Sequence, residues 1–185
     1  MKKYEFTGET KVVNGTTLKR IRALVSFGDV VKGEVGGFIK DEKNLSHNGN
    51  AWVTGDARVT GNAWVDGNAW VAGDACVTGN AWVTGDARVT DNACVAGNAE
   101  VTDNAWVTDT TDYMLIGSIG SRNDFTTFFK NKGGGISVKC GCFSGTIEEF
   151  REKVKKTHGA DTKHAKVYQA AADLAELQIL DQEAE

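Results

Sequence analysis

Residues 51–62 read AWVTGDARVTGN, and residues 81–92 read AWVTGDARVTDN, almost the same phrase thirty positions later. The phrase belongs to ten consecutive six-residue units that fill residues 51–110 without insertion. Each unit has alanine first and valine third, followed by a trio such as TGD or TGN. Residues six apart lie on different faces of an α-helix, and a hairpin meander needs longer units. Short strands joined by Gly-Asn or Gly-Asp turns instead predict a coil with three flat sides, completed by three units.

The short strands sort their side chains into inward and outward sets. Alanine and valine lie two residues apart, so both point inward, and the small alanine leaves room at the crowded axis. The residue between them points outward, and units 18 residues apart stack at the ~4.8 Å spacing of paired strands. The outward residues therefore form three columns: Trp52, Trp70, Arg88 and Trp106; Arg58, Cys76 and Cys94; and Trp64, Trp82 and Glu100.

The ten units resemble those of hexapeptide-repeat proteins, whose fold is a left-handed parallel β-helix of triangular cross-section. The regular units that carry the resemblance make up about a third of the chain. A degenerate extension, VVKGEVGGFIKDEKNLSHNGN, precedes it, with Ile39 and Leu45 in the alanine phase. The left-handed winding is implied by the resemblance alone. Members of the family usually form trimers with their coils side by side, so the resemblance also implies a homotrimer.

All five tryptophans lie on two of the three outer sides of the predicted coil. In one interpretation they form aromatic ladders that stiffen the sheet, with Arg88 as a cation–π partner. However, a monomer rarely leaves a large apolar patch open to solvent. We therefore expect a subunit or domain interface at six residues: Trp52, Trp64, Trp70, Trp82, Arg88 and Trp106.

The flanking segments have a different composition. Residues 1–29 have strand character and an Asn-Gly turn, which predicts a small β cap over the first turn of the coil. Residues 30–110 form the coil, and residues 111–185 are predicted to form an α+β domain of three strands and two helices. The strands are DYMLIGSIGSRND, FTTFF and ISVKC, and the helices are SGTIEEFREKVKKTHG and the segment from about Ala165 to Leu180.

Several features support these boundaries and define the fold class. Thr146 and Glu149 form a capping box, and Gly159 ends the first helix. In the second helix, Val167, Ala171, Leu174, Leu177 and Ile179 are expected on one face. The predicted fold class is therefore mainly β: a left-handed parallel β-helix with a small N-terminal β cap and a C-terminal α+β domain.

Composition limits the classes of partner. The formal net charge of −4 gives no general attraction to polynucleotides or anionic membranes. No apolar run approaches the length of a bilayer span, and no signal peptide is recognisable, so we expect a cytoplasmic protein without membrane contact. Its cysteines are then expected to be free thiols. Cys76 and Cys94 stack one turn apart with geometry suited to a disulfide, but a reducing compartment argues against the bond.

The sequence favours a protein without catalytic residues, cofactor or metal. Hexapeptide-repeat acyltransferases use a histidine as general base, but the regular units contain none, and only His47, His158 and His164 occur elsewhere. Nor is there a long loop between units to hold a coenzyme. The pair Cys140 and Cys142 supplies two ligands where structural zinc takes four.

An anion site is predicted in the C-terminal domain. IGSIGSRND offers open backbone amides, hydroxyls and an arginine, and KCGCFSGTIEEF places polar residues before a helix N-terminus. The two segments would converge if the first and third strands were neighbours. In the alternative interpretation, the glycines of the first segment form a bulge, Arg122 pairs with Asp124, and Ser144 or Thr146 only caps the helix. The candidate ligand-binding residues are Ser118, Ser121, Arg122, Asn123, Lys139, Ser144, Thr146, Phe125 and Phe143.

These features lead to one hypothesis and two alternatives. The hypothesis is a non-catalytic homotrimer that binds a small anionic, nucleotide-like ligand in pockets involving the C-terminal domain. The overall layout resembles small bacterial and phage proteins with hexapeptide repeats, which suggests a phage-type sponge for a nucleotide immune signal. The alternatives are a structural or protein-interaction scaffold and an acyltransferase of the hexapeptide-repeat type.

Overall fold

The computed structural model describes residues 2–180 and confirms a mainly β fold. Strands β1 (Tyr4–Val13) and β2 (Thr16–Ala23) form an antiparallel hairpin. Its turn residues Asn14 and Gly15 have φ of 49° and 75°, as a type I′ turn requires. Strand β3 (Val35–Ile39) pairs antiparallel with β2 and parallel with a strand of the coil, so the hairpin continues one side of the coil.

The predicted coil is present as a parallel β-solenoid. The ten two-residue strands are β4 (Trp52–Val53), β5 (Arg58–Val59), β6 (Trp64–Val65), β7 (Trp70–Val71), β8 (Cys76–Val77), β9 (Trp82–Val83), β10 (Arg88–Val89), β11 (Cys94–Val95), β12 (Glu100–Val101) and β13 (Trp106–Val107). They form three sides in the orders β4-β7-β10-β13, β6-β9-β12 and β3-β5-β8-β11. Partners are 18 residues apart, so the three predicted outward columns are confirmed. The alanine at the first position and the valine at the third position of every unit are buried.

Polar residues hold the corners of the coil in register. Asn68 accepts a hydrogen bond from Asn50 and donates one to Asp86, each of 2.9 Å. Asn80 likewise bonds to Asn62 and Asn98. These ladders link residues 18 apart on successive turns, so they add side-chain contacts to the backbone pairing.

The N-terminal segment closes the first turn of the coil and buries Trp52. Lys3 is buried, and its ammonium donates a 2.8 Å hydrogen bond to the carbonyl oxygen of Ala51. Burial lowers the pKa of Lys3 to about 8. The rings of Tyr4 and Phe27 pack edge-on against Trp52, which is completely buried. Of the two interfaces expected for Trp52, between subunits or between domains, the structure shows contact with the N-terminal segment of its own chain.

The C-terminal region contains one more strand than predicted. Strands β14 (Tyr113–Ile119), β15 (Asp124–Lys130), β16 (Ile136–Cys140) and β17 (Phe143–Thr146) form an antiparallel meander in chain order. The sequence predicts a helical segment from Ser144 onward and no strand before it. In the structure, β17 pairs with β16 across the two-residue turn Gly141–Cys142.

The two predicted helices are confirmed as α1 (Ile147–His158) and α2 (Lys163–Leu180). Thr146 caps α1 through the expected capping box with Glu149. The buried face of α2 differs from the predicted one: Leu174 and Leu177 are exposed, because Tyr168 and small alanines pack on the sheet instead. Within residues 2–180 neither helix is long and apolar enough to cross a membrane.

Replacing Gly85 with alanine is expected to destabilise the protein more than the same change at Gly15. Both residues have positive φ, of 67° and 75°. An added Cβ in this conformation costs about 1–2 kcal/mol of stability at either position. At Gly85 the new Cβ would lie 2.7 Å from the backbone nitrogen of Asp103 on the next turn, while at Gly15 it meets nothing within 4 Å. We expect Gly85→Ala to lower the free energy of unfolding by roughly 3 kcal/mol or more. Equal decreases in the free energy of unfolding for the two variants, measured by chemical denaturation, would contradict the close stacking of turns.

Candidate functional site

The structure distributes the predicted anion-binding residues over several places, although Phe125 and Lys139 line one concavity of about 200 Å³. Strands β14 and β16 are separated by β15, so the condition for convergence of the two segments, that the first and third strands are neighbours, is not met. Ser118, Ser121, Asn123 and Phe125 are exposed on and beside the turn between β14 and β15. Arg122 does reach the second predicted segment: a methyl group on Gly141 would lie 3.1 Å from its guanidinium.

The other predicted residues of this site have structural contacts. Lys139 forms a 3.9 Å ion pair with Glu100 of the coil. Ser144 donates a hydrogen bond to Asp103 at the coil corner. Thr146 caps α1, and the ring of Phe143 packs at 5.6 Å from that of Phe150. These contacts attach the C-terminal domain to the coil and to its own core.

A groove of about 510 Å³ lies on the side of the coil that carries the first predicted column. The N-terminal loop bounds it at one end and the C-terminal domain at the other. Its volume falls in the range of small-molecule sites. The lining residues are Gly28, Asp29, Asn50, Asn68, Trp70, Asp86, Arg88, Asn104, Ala105, Trp106 and Lys132.

The floor of the groove is the in-register column Trp70, Arg88 and Trp106. Arg88 is exposed, and its guanidinium carbon lies 5.8 Å from the ring centroid of Trp106. Trp106 keeps 38% of its surface exposed, and Trp70 is half-buried. Among residues 2–180, neither Arg88 nor Lys132 has an ion-pair partner. The floor therefore offers two indole rings and a cation without a fixed counterion.

Lys132 is positioned by a rigid turn of the C-terminal domain. The side-chain oxygen of Asn131 accepts hydrogen bonds from the amides of Gly133 and Gly135, at 3.0 and 3.2 Å. The amide of Lys132 donates a 3.0 Å bond to the carbonyl oxygen of Asn104 at the last coil corner. The turn is thus attached to the coil, and Lys132 lines both the groove and a neighbouring concavity of about 250 Å³ on the other side of Trp106.

The charges of the groove differ along its length. Asp29 comes from the N-terminal loop beside Asn50, and Asp86 accepts the hydrogen bond of Asn68 along one edge. The cations Arg88 and Lys132 lie toward the C-terminal end. A ligand with an anionic group at one end and hydrogen-bond donors at the other matches this arrangement.

The remaining tryptophans form a separate surface. Trp64 and Trp82 lie on the adjacent side of the coil, 39% and 49% exposed. Their ring centroids are 5.7 Å apart in an edge-to-face arrangement. This pair presents an exposed apolar surface.

The three histidines lie away from the groove. Of the three histidines, none lines it; His47 stacks on Tyr4 at 4.3 Å, and the rings of His158 and His164 are 5.9 Å apart near the junction of α1 and α2. In the part of the chain that the structure describes, no group of three or more His, Cys, Asp or Glu could hold a metal ion.

The sequence predicts the outward column that forms the floor of the groove, as part of an interface, but not the residues at the ends of the groove. Lys132 belongs to a glycine-rich segment that predicts only a turn. Its place beside Trp106 depends on how the C-terminal sheet docks, through an isolated bridge between Ala105 and Asn131. No local sequence pattern encodes that contact. A scan against protein-family models and a search of the curated proteins both find no match.

Proposed function

We propose that the protein is a non-catalytic binding protein of the hexapeptide-repeat type, and that its groove takes a small anionic, nucleotide-like ligand. One observation carries this proposal: Arg88 lies between Trp70 and Trp106 on the floor of an open groove, without an ion-pair partner among residues 2–180.

The chemistry of these side chains suits a nucleotide. The guanidinium of Arg88 offers planar donors that match a phosphate, and Lys132 adds a second positive charge. The exposed indole of Trp106 provides a face on which a base stacks, a contact worth about 1–3 kcal/mol per base. The asparagines and Asp86 along one edge supply partners for hydroxyl and amino groups. The C-terminal domain thus contributes to this site through Lys132.

The proposed role is sequestration. The groove offers recognition groups and its lining contains no histidine, which supports binding without catalysis. A cytoplasmic phage-type sponge for a nucleotide immune signal fits such a site, and it matches the resemblance of the repeat layout to small phage proteins. The walls of the groove also favour a small ligand over a polynucleotide.

We further propose that the protein is a homotrimer. Trp64 and Trp82 form the apolar surface that supports this proposal, since a monomer rarely leaves such rings open to solvent. The loop at Gly28–Asp29 and the turn at Lys132 bound the neighbouring groove, which keeps a flat partner surface away from its floor. Trp70, Arg88 and Trp106 are then available to a ligand.

A scaffold that docks a macromolecule is the second candidate. The exposed Leu174 and Leu177 on α2 favour it, because they are apolar and lie one helical turn apart. An acyltransferase is less favoured, because no histidine lines the groove.

Isothermal titration calorimetry with cyclic dinucleotides and ADP-ribose derivatives tests ligand binding. We expect at least one of these probes to bind, and Arg88→Ala to weaken its binding about 10- to 100-fold, because loss of a charge-assisted contact costs ~1.5–3 kcal/mol. Lys132→Ala is expected to weaken it less.

Arg122→Ala is the matched control, since it removes an exposed arginine from the site predicted in the C-terminal domain. Its affinity is expected to stay within about twofold of the unchanged protein. No heat with any probe would contradict nucleotide binding. A large loss only in the Arg122 variant would move the ligand to the C-terminal turns.

Native mass spectrometry tests the oligomeric state. We expect a trimer that dissociates in the Trp64→Ser/Trp82→Ser variant, because the change removes the apolar contact area. The double variant Leu174→Ser/Leu177→Ser is the control and is expected to stay trimeric. A monomeric or dimeric unchanged protein would contradict the proposal.

A further inference from the structure

The third side of the coil carries a pair of thiols in direct register. Cys76 and Cys94 are Cα partners on the parallel strands β8 and β11, so both side chains project outward, one above the other. Both are free and half-buried. They lie on a different side of the coil from the groove, which makes them independent of the proposed ligand site.

The spacing of the pair also suits a bridging ion. Neighbouring in-register strands are ~4.8 Å apart, a separation that a disulfide could span as well. Two sulfur–metal bonds of about 2.3 Å in a line span roughly 4.6 Å. A single cation between the two sulfurs therefore needs little movement of the backbone.

The surroundings of the thiols indicate which cation fits. Zinc takes four ligands, and within residues 2–180 no third His, Cys, Asp or Glu joins the pair. Sulfur ligands select soft ions, of which copper(I) is the biological example. Arg58 is the next residue in the column, in register with Cys76, and has no ion-pair partner in the described part of the chain. Its Nε is buried without a hydrogen bond.

We propose that Cys76 and Cys94 form a two-thiolate site for a soft monovalent cation of the copper(I) type. Binding replaces the two thiol protons by one metal ion and releases both protons to the buffer, with no electron transfer. The product carries one net negative charge, which the guanidinium of Arg58 offsets. Burial raises the pKa of Cys76 to about 11, so the metal must displace a proton there at neutral pH.

Copper(I) titration under anaerobic conditions, in competition with a coloured copper(I) chelator, tests the proposal. The starting protein is the Cys140→Ser/Cys142→Ser variant, which removes the other two thiols. We expect one tightly held copper(I) per chain, and at least a 100-fold loss of affinity on adding Cys76→Ser or Cys94→Ser. Arg58→Gln is expected to retain the stoichiometry with about tenfold weaker binding, while Arg122→Ala in the C-terminal domain is expected to leave the copper(I) affinity unchanged.

X-ray absorption at the copper edge of the loaded Cys140→Ser/Cys142→Ser protein gives a second measurement, which does not depend on the folding of a Cys76 or Cys94 variant. Two sulfur neighbours per copper support the site. Three or four sulfur neighbours would overturn it, because they require ligands from elsewhere. Copper binding that survives Cys76→Ser and Cys94→Ser unchanged would overturn it as well.

Discussion

Backbone pairing between successive turns of the coil determines the rest of the structure. The amide of Trp70 donates to the carbonyl of Ala87, and the amides of Cys76 and Trp82 donate to Ala93 and Ala99, all at 2.8–2.9 Å. Each residue is therefore held above the one 18 positions later at the ~4.8 Å strand spacing. In the ten regular units the interior holds only alanine and valine, and the corners need residues that accept positive φ. Outward positions are free of these limits. Large, charged and thiol side chains of the regular strands are therefore found in the three outward columns.

The segments at the two ends of the coil bound one of these columns, which thereby becomes the floor of a groove. The N-terminal segment covers Trp52 and places Asp29 at one end of the groove, and the turn held by Asn131 places Lys132 at the other. Without these two segments, Arg88 would lie on a flat sheet, where solvent screens its charge and weakens its ionic contacts. The column of Arg58, Cys76 and Cys94 lies outside the groove. The positions of its two thiols are therefore set by strand register.

The repeat made most of the coil predictable from sequence, including its inward and outward residues. Prediction failed where contacts are distant in the chain. Trp52 has the same local sequence as Trp82, yet only the former is buried, because Tyr4 and Phe27 reach it from the N-terminal segment. The fourth C-terminal strand was hidden in a short segment before a helix. The groove was half predictable: its column followed from the period of 18, but the position of Lys132 depends on the docking of the C-terminal sheet.

Spin-label spectroscopy tests the stacking of turns most directly. Nitroxides at Asn62 and Asn80, whose side chains are hydrogen-bonded at 3.2 Å across successive turns, are compared with nitroxides at Asn62 and Asn68 on neighbouring corners. The labels are attached to introduced cysteines after the native ones are replaced by serine, and unlabelled chains dilute contacts between molecules. Strong spin–spin broadening is expected for the pair 18 residues apart and little for the pair six apart. The opposite order would contradict a coil that completes each turn in 18 residues.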